Sequence, residues 1–392
     1  MINTKSYFLS QPHQPFFLSG VIWALINLLV FMLSYKGVLI LNIAPMEFHA
    51  YSLIFTVFTQ FFVGFLFTTF PRFCQSEVIS QSFYLKVFLL LQTGTLTFLL
   101  GALLHVSLVY LAVLLLFIGN VLIVYKLYGI YKNGLMPKDY GDSFWILTGF
   151  FFSLIAHLLL IANFITPSPL LYTLGVQEGI YLYLVFVAFA VGQRMVPFFS
   201  HSMVQKQKNF AGIVFGGFVL KVLLDIAGFV YAEIIVDMAL SLFLLKEFLR
   251  WKLPIFNSPS ILWVLHLALF WLPAGLFIGA LANLASQISG ESFIAMQIHL
   301  VLIGFITTIL IGFGTRVTMG HSGQAPHADK LTTNIFWSVQ VLVIVRALYS
   351  LQAGLNLNLP WLFDASVTLW LLIFGVWAWR YGPVLYSGKK IS

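Results

Sequence analysis

The histidines of this sequence are its first candidates for chemistry, because neutral imidazole is a ligand of haem iron and of copper. His49 opens one long apolar segment, and His299 lies near the start of another. We expect both segments to begin on the same side of a membrane, so the two imidazoles should lie at similar depth in its outer half. Two axial histidines facing an apolar slot between helices suit a b-type haem. The competing interpretation is that each ring only bonds a nearby carbonyl or lies among lipid headgroups.

A second group of histidines is predicted on the cytoplasmic side. His266 lies early in its apolar segment, and His321 follows another segment beside Gly320, Gly323 and Arg316. Because glycines permit tight backbone turns, the loop around His321 can hold a metal or an anion. His266 and His321 are therefore reserve metal ligands, and a capped helix end with a solvated imidazole is the alternative.

Charged side chains inside apolar segments form a third group, because a charge at the centre of a bilayer costs roughly 2.5–3.5 kcal/mol on insertion scales. Lys221 and Asp225 are four residues apart and share a helix face. Asp237 and Arg346 are predicted at similar depth. Three interpretations stay open: a structural ion-pair network, haem propionates held by Lys221 and Arg346, or a path for protons.

The elements that must position these residues are membrane-spanning helices. Hydrophobic residues make up 60% of the chain and charged residues 8%, whereas a soluble domain has about 25% charged residues. Backbone groups in lipid must pair within their own segment, and the apolar runs are continuous, which favours helices over a barrel. The sequence predicts one all-α domain over residues 1–392, a bundle of about twelve transmembrane helices, near 16–35, 47–70, 84–104, 107–128, 143–164, 171–192, 210–230, 232–249, 260–282, 293–314, 334–351 and 361–380.

The basic residues orient this bundle. Nearly all loop lysines and arginines fall on alternate connections, and Lys36 stands alone on the other side. By the positive-inside rule, both termini are predicted to be cytoplasmic. The basic residues form no continuous stripe, which argues against a nucleic-acid partner and leaves the lipid bilayer as the predicted one.

A weak internal repeat links the second, sixth and tenth predicted helices. Each has a glycine ahead of a terminal arginine, in the pairs Gly64 and Arg72, Gly192 and Arg194, and Gly314 and Arg316. The glycines at 64, 192 and 314 are 128 and 122 residues apart. This spacing predicts three units of four helices, a plan that resembles subunit I of haem-copper oxidases by topology alone. The three arginines are predicted cytoplasmic anchors or anion partners, although inward helices often end in arginine.

Several ordered stretches together resemble one known family. They are Pro12–Leu18, Phe48–Ala50, Gly192–Ser200, Leu262–His266, His299–Gly304 and Arg316–Gly323. This ordered set is similar to that of the NnrS family of bacterial haem- and copper-containing membrane proteins. The sequence departs from the family pattern at Tyr51 and Ser52, where the family has a histidine and a glutamate, and at Gln324, where it has an arginine.

The resemblance implies a twelve-helix inner-membrane protein that binds haem b and copper and takes part in tolerance of nitric oxide. Nitric oxide would be bound, sensed or converted by redox chemistry at iron, so an enzymatic activity is left open. The departure at Tyr51 and Ser52 bears on copper more than on haem. A membrane transporter and a membrane assembly factor without a cofactor are the alternatives.

Overall fold

All regular secondary structure over the described residues, 7–136 and 141–391, is helical in the computed structural model, as predicted. Both ends of the predicted domain, 1–392, extend beyond these residues. The helices are α1 (His13–Tyr35), α2 (Pro45–Phe73), α3 (Gln81–Leu103), α4 (Val106–Asn133), α5 (Asp142–Ile165), α6 (Pro169–Phe199), α7 (Phe210–Ile226), α8 (Val230–Arg250), α9 (Ser260–Ser289), α10 (Met296–His321), α11 (Lys330–Gly354) and α12 (Trp361–Ser387).

Ten of these helices in the described part of the chain are long and apolar enough to cross a membrane. The chain is therefore a multi-pass membrane protein. The two others are α7, which has 17 residues, and α8, which carries Glu233, Asp237, Lys246, Glu247 and Arg250 within 21 residues. That α7 and α8 also cross the membrane, which would make twelve spans, stays a prediction.

Helix α1 begins at His13 rather than near residue 16. Pro12 precedes the helix and Pro15 lies in its first turn, where a missing backbone N–H costs nothing because that group has no intrahelical partner. The Gln14 side chain accepts hydrogen bonds from the Ser10 hydroxyl at 3.0 Å and the Gln11 amide at 2.9 Å. These bonds fix the direction in which the chain enters α1.

Three helices contain a π-helical segment. The segments are Ser52–Phe58 in α2, Glu178–Val185 in α6 and Leu300–Thr307 in α10. They begin at positions 52, 178 and 300, which are 126 and 122 residues apart. Wide π turns are rare and are found often at functional sites. They occur in the same three helices that the glycine–arginine pattern grouped.

The described residues cluster into two compact units. Unit 1 comprises residues 7–136, 141–184, 317–325 and 374–391, and unit 2 comprises Val185–Arg316 and Pro326–Ile373. The boundary falls inside α6, α10 and α12. Each unit therefore has its own set of helix contacts.

Glycines allow close helix packing within unit 1. A β-carbon added to Gly101 of α3 would lie 2.5 Å from the backbone nitrogen of Val109 in α4, and one on Gly94 would lie 2.7 Å from Cγ of Leu116. Between apolar helices in lipid, small residues let backbones approach and gain van der Waals contact. The pair α3–α4 is held together in this way.

Unit 2 uses the same device between α9 and α10. A β-carbon added to Gly275 would lie 3.2 Å from the backbone nitrogen of Val301, and one on Gly279 would lie 2.3 Å from Cβ of Gln297. The N-terminal turn of α10 is therefore seated closely on α9. This contact positions both Gln297 and the nearby His299.

Candidate functional site

Two imidazoles lie side by side in unit 1, one at the start of α1 and one at the end of α10. The ring centroids of His13 and His321 are 4.7 Å apart, with the ring planes at 39°. His13 is buried, with 1% of its surface exposed, and Phe17 packs edge-on against it. His321 is half-buried. We call these two residues the His13–His321 pair.

The His13–His321 pair has the donor chemistry of a small metal site. The Nδ1 atom of His13 is buried and has no hydrogen-bond partner among the described residues. Such an atom needs an explanation, because most buried side-chain nitrogens are bonded. Imidazole nitrogen suits copper. Since no group of three or more histidine, cysteine or acidic side chains suited to a metal occurs in the described part of the chain, the pair would supply two protein ligands.

Arg72 adds positive charge next to this pair. It is exposed near the end of α2 and lies within electrostatic range of His321. The sequence predicted Arg72 as a cytoplasmic anchor and His321 as a reserve metal ligand. It missed His13, whose signal was a histidine between Pro12 and Pro15 at the entry to a helix.

A second buried imidazole in unit 1 is bonded to the tyrosine that departs from the family pattern. The Tyr51 hydroxyl lies 2.7 Å from Nε2 of His157, and both side chains are fully enclosed. Phe55 stacks on the His157 ring at 4.0 Å and Phe117 meets it edge-on at 5.5 Å. The Nδ1 atom of His157 has no hydrogen-bond partner within the described ranges. Tyr51 therefore orients a buried histidine.

His49, one of the two leading haem ligands, lies in unit 1. It is half-buried, its ring stacks on Phe31 at 4.0 Å, and its carbonyl accepts a hydrogen bond from Ser52 at 3.2 Å. The aromatic contact fixes the ring plane at the start of α2, one turn before the π-helical segment.

His299, the other leading ligand, lies in unit 2. Its Nδ1 atom is 2.9 Å from the carbonyl oxygen of Ala295. When Nδ1 donates its proton to that oxygen, Nε2 carries the lone pair. Metal-ligating histidines have one ring nitrogen free for the metal in this way, while the other donates a hydrogen bond. Because His49 belongs to unit 1 and His299 to unit 2, their pairing across one haem stays a prediction.

His266, a reserve ligand, is hydrogen-bonded within unit 2. Its Nε2 atom lies 2.6 Å from the Ser200 hydroxyl, and its ring is close to the carbonyl of Pro254. These contacts fit a structural histidine as well as a ligand, so its metal role stays a prediction.

The two other terminal arginines lie in unit 2. The Arg316 guanidinium lies 3.9 Å from the centroid of the Phe199 ring, a stacked arrangement that favours a cation. Arg194 is half-buried near the end of α6. Their predicted roles as anchors or anion partners stay predictions.

A buried charged cluster occupies unit 2. The Lys221 ammonium donates to Glu233 at 2.5 Å, to Asp237 at 2.8 Å and to Gln297 at 3.1 Å. The Gln297 amide in turn donates to Asp237 at 2.6 Å. We call these four residues the Lys221 cluster. The sequence pointed to Lys221 and Asp237 but missed Glu233 and Gln297; the signal for Glu233 was its place four residues before Asp237 on one helix face.

Arg346 has a different setting in unit 2. Its guanidinium donates to the Ser350 hydroxyl at 2.8 Å and lies 4.8 Å from the centre of the Tyr349 ring. Ser350 donates to the carbonyl of Ile294, just before α10. Arg346 thus links α11 to the segment that leads into α10.

Comparison with known proteins identifies one family. The family model described as NnrS protein matches residues 7–389, nearly the whole chain. A search of curated proteins finds no match. Because the family match covers almost every residue, this chain belongs to the NnrS family.

Proposed function

We propose that this protein acts in the bacterial response to nitric oxide and binds copper and haem b within the inner membrane. Membership of the NnrS family supports the nitric oxide link. The observation that carries the metal proposal is the His13–His321 pair, in which His13 is buried and its Nδ1 atom has no hydrogen-bond partner among the described residues.

The His13–His321 pair would hold the copper. The pair offers two imidazole nitrogens and no carboxylate. Such a nitrogen donor set suits copper better than magnesium or calcium, which prefer oxygen ligands. Bound copper supplies one-electron chemistry and a position for a diatomic ligand. The protein's own contribution is to fix the two rings: the bonds to Gln14 hold the start of α1, and Phe17 packs against His13.

His49 and His299 remain the leading axial ligands of the haem. The hydrogen bond between His299 and the Ala295 carbonyl supports this role, since it sets the required tautomer. Anchoring of a propionate by Lys221 is disfavoured, because its ammonium already donates to three oxygens. Arg346 is the better candidate for that role.

Metal analysis of purified full-length protein tests the copper site. After copper loading and removal of loose metal, we expect His13→Ala and His321→Ala each to lose bound copper. His327→Ala, which changes an exposed histidine after α10, should keep it and is the matched control. Copper retained at the wild-type level in both variants would refute the site.

Visible absorption tests the haem separately. We expect a Soret band in protein from haem-replete cells, and its loss or displacement in His49→Ala and in His299→Ala. A colourless wild-type preparation would rule out haem, and an unchanged band in both variants would rule out this axial pair. Consumption of nitric oxide by membranes that contain each variant shows whether binding is accompanied by turnover.

The proposed orientation places both termini in the cytoplasm. Reporter fusions at the C-terminus, one active only in the cytoplasm and one only outside it, test this placement. Activity of the external reporter alone would contradict it.

A further inference from the structure

We propose that the Lys221 cluster is a proton-binding site, in which Glu233 and Asp237 share one exchangeable proton. This inference is independent of haem and copper. It rests on the hydrogen bonds, the burial and the charge count of the cluster.

The hydrogen bonds of the cluster define the state of its lysine. The Lys221 ammonium has three N–H donors, and they meet oxygens of Glu233, Asp237 and Gln297 at 2.5–3.1 Å. A neutral amine would have only two donors for these three oxygens. The geometry therefore requires lysine to stay charged.

The charges of the cluster do not balance when both carboxyl groups are ionised. One ammonium then faces two carboxylates, which leaves a net charge of −1 on three residues, Lys221, Glu233 and Asp237, with 1%, 6% and 0% of their surface exposed. An uncompensated buried charge is costly, and more so inside a membrane. One bound proton makes the cluster neutral.

Two further charged residues on these helices do not alter this count. Helix α7 also carries Asp225 and α11 carries Arg346, one acid and one base, so including both leaves the net charge at −1. Helix α10 adds His299, whose Nδ1 atom is engaged with the Ala295 carbonyl. Helix α9 adds only His266, which is bonded to Ser200.

The unsatisfied oxygen of the cluster lies on its deepest carboxyl group. Oδ1 of Asp237 is buried and has no hydrogen-bond partner among the described residues, whereas Oδ2 accepts from both Lys221 and Gln297. A neutral carboxyl group tolerates an unbonded oxygen far better than a carboxylate does. Asp237 is therefore one natural position for the proton.

Glu233 offers the route by which the proton exchanges. It lies in the first turn of α8, and its side chain is 7% exposed, against 0% for Asp237. Lys221 is near the end of α7 and Gln297 near the start of α10. These helix ends are on the outer side in the proposed topology. On uptake, a proton from outer water forms an O–H bond at a carboxylate oxygen, and no electron is transferred.

Infrared spectroscopy of the full-length protein tests this proposal. A protonated carboxyl group has a C=O stretch that is resolved from the carboxylate bands and shifts in D₂O. We expect this band in the wild type at neutral pH. Because Asp237→Asn and Glu233→Gln each leave one carboxylate to balance the ammonium, either substitution alone should abolish it.

The matched control is Glu178→Gln. Glu178 is a half-buried acid in unit 1 with an oxygen, Oε2, that has no hydrogen-bond partner among the described residues. Its substitution removes any band of its own and should leave that of the cluster. Absence of the band from the wild type overturns the proposal whether or not the variants fold. Persistence of the band in either cluster variant made in the Glu178→Gln background overturns it too.

Discussion

Two polar networks, one in each unit, are built alike. Each consists of an indole N–H, a glutamine and a side-chain oxygen on a third helix: Trp23, Gln92 and Gln60 in unit 1, and Trp271, Gln340 and Thr308 in unit 2. The indole donates to the glutamine at 2.8 Å and 2.6 Å, and the glutamine amide donates onward at 2.7 Å and 3.3 Å. Every counterpart follows by 248 positions, 271 against 23, 340 against 92 and 308 against 60. This constant offset relates α1–α3 to α9–α11, and the predicted division into three units of four helices stays a prediction.

The residues around the two networks differ. At the same offset, His49 corresponds to Gln297 and Phe31 to Gly279. In unit 1 the His49 ring stacks on the Phe31 ring. In unit 2 the missing side chain of Gly279 makes room for Gln297, which reaches Lys221 and Asp237. One helical framework therefore holds a stacked imidazole in one unit and serves a charged cluster in the other.

Removal of the buried cation should have the largest effect on stability. Lys221→Met leaves Glu233 and Asp237 without their ammonium, and breaking a buried ion pair from one side costs roughly 3–5 kcal/mol. His49→Leu, at the position of unit 1 that corresponds to Gln297, removes a stacked imidazole ring and should cost much less. Unfolding in mixed detergent micelles measures both.

Lys86→Met is the control for this comparison, because Lys86 is exposed on α3. It should leave stability unchanged within about 0.5 kcal/mol. If His49→Leu destabilises the protein as much as Lys221→Met, the contrast between a stacked imidazole in unit 1 and a buried charged cluster in unit 2 is wrong.

The sequence predicted the helices better than the site. Long apolar runs in lipid form helices because their backbone groups must pair within the segment, so the all-α architecture followed directly. The ordered motifs predicted the family, which is confirmed. The π-helical segments were not predicted, because the residues from Ser52 to Phe58 differ in no simple pattern from an α-helix.

The partners within the site depend on helix rotation and packing, which a single sequence does not contain. Lys221 was placed with Asp225 on one face of its own helix, whereas Glu233, Asp237 and Gln297, which accept hydrogen bonds from its ammonium, lie on α8 and α10. Gln297 reaches the ammonium only because Gly279 has no side chain. His13 was missed because it precedes the apolar run from which α1 was predicted.

A single methyl group should perturb the α9–α10 contact of unit 2. Gly279→Ala places a β-carbon 2.3 Å from Cβ of Gln297, and overpacking of this kind costs typically about 1–3 kcal/mol. Gly129→Ala on α4 has nothing within 4 Å and should be neutral or slightly stabilising. Thermal unfolding in detergent distinguishes the two.

The background of Gln297→Gly sharpens this test. The Cβ atom that the added methyl group would meet is then gone, so Gly279→Ala should cost less than in the wild-type chain. An equal cost in both backgrounds would show that the close approach of Gln297 to Gly279 does not determine the packing.

The smallest effect is expected at the two indoles, and there the two units should agree. Trp23→Phe and Trp271→Phe each remove one N–H donor, and an interhelical hydrogen bond in a membrane protein contributes about 0.6 kcal/mol on average. Double-mutant cycles with Gln92→Leu and Gln340→Leu isolate that coupling from the lost ring contacts. Since the donor distances are 2.8 Å and 2.6 Å, we expect similar coupling energies. Coupling in only one unit would mean that the two units share these residues but not the contribution of the indole–glutamine hydrogen bond to stability.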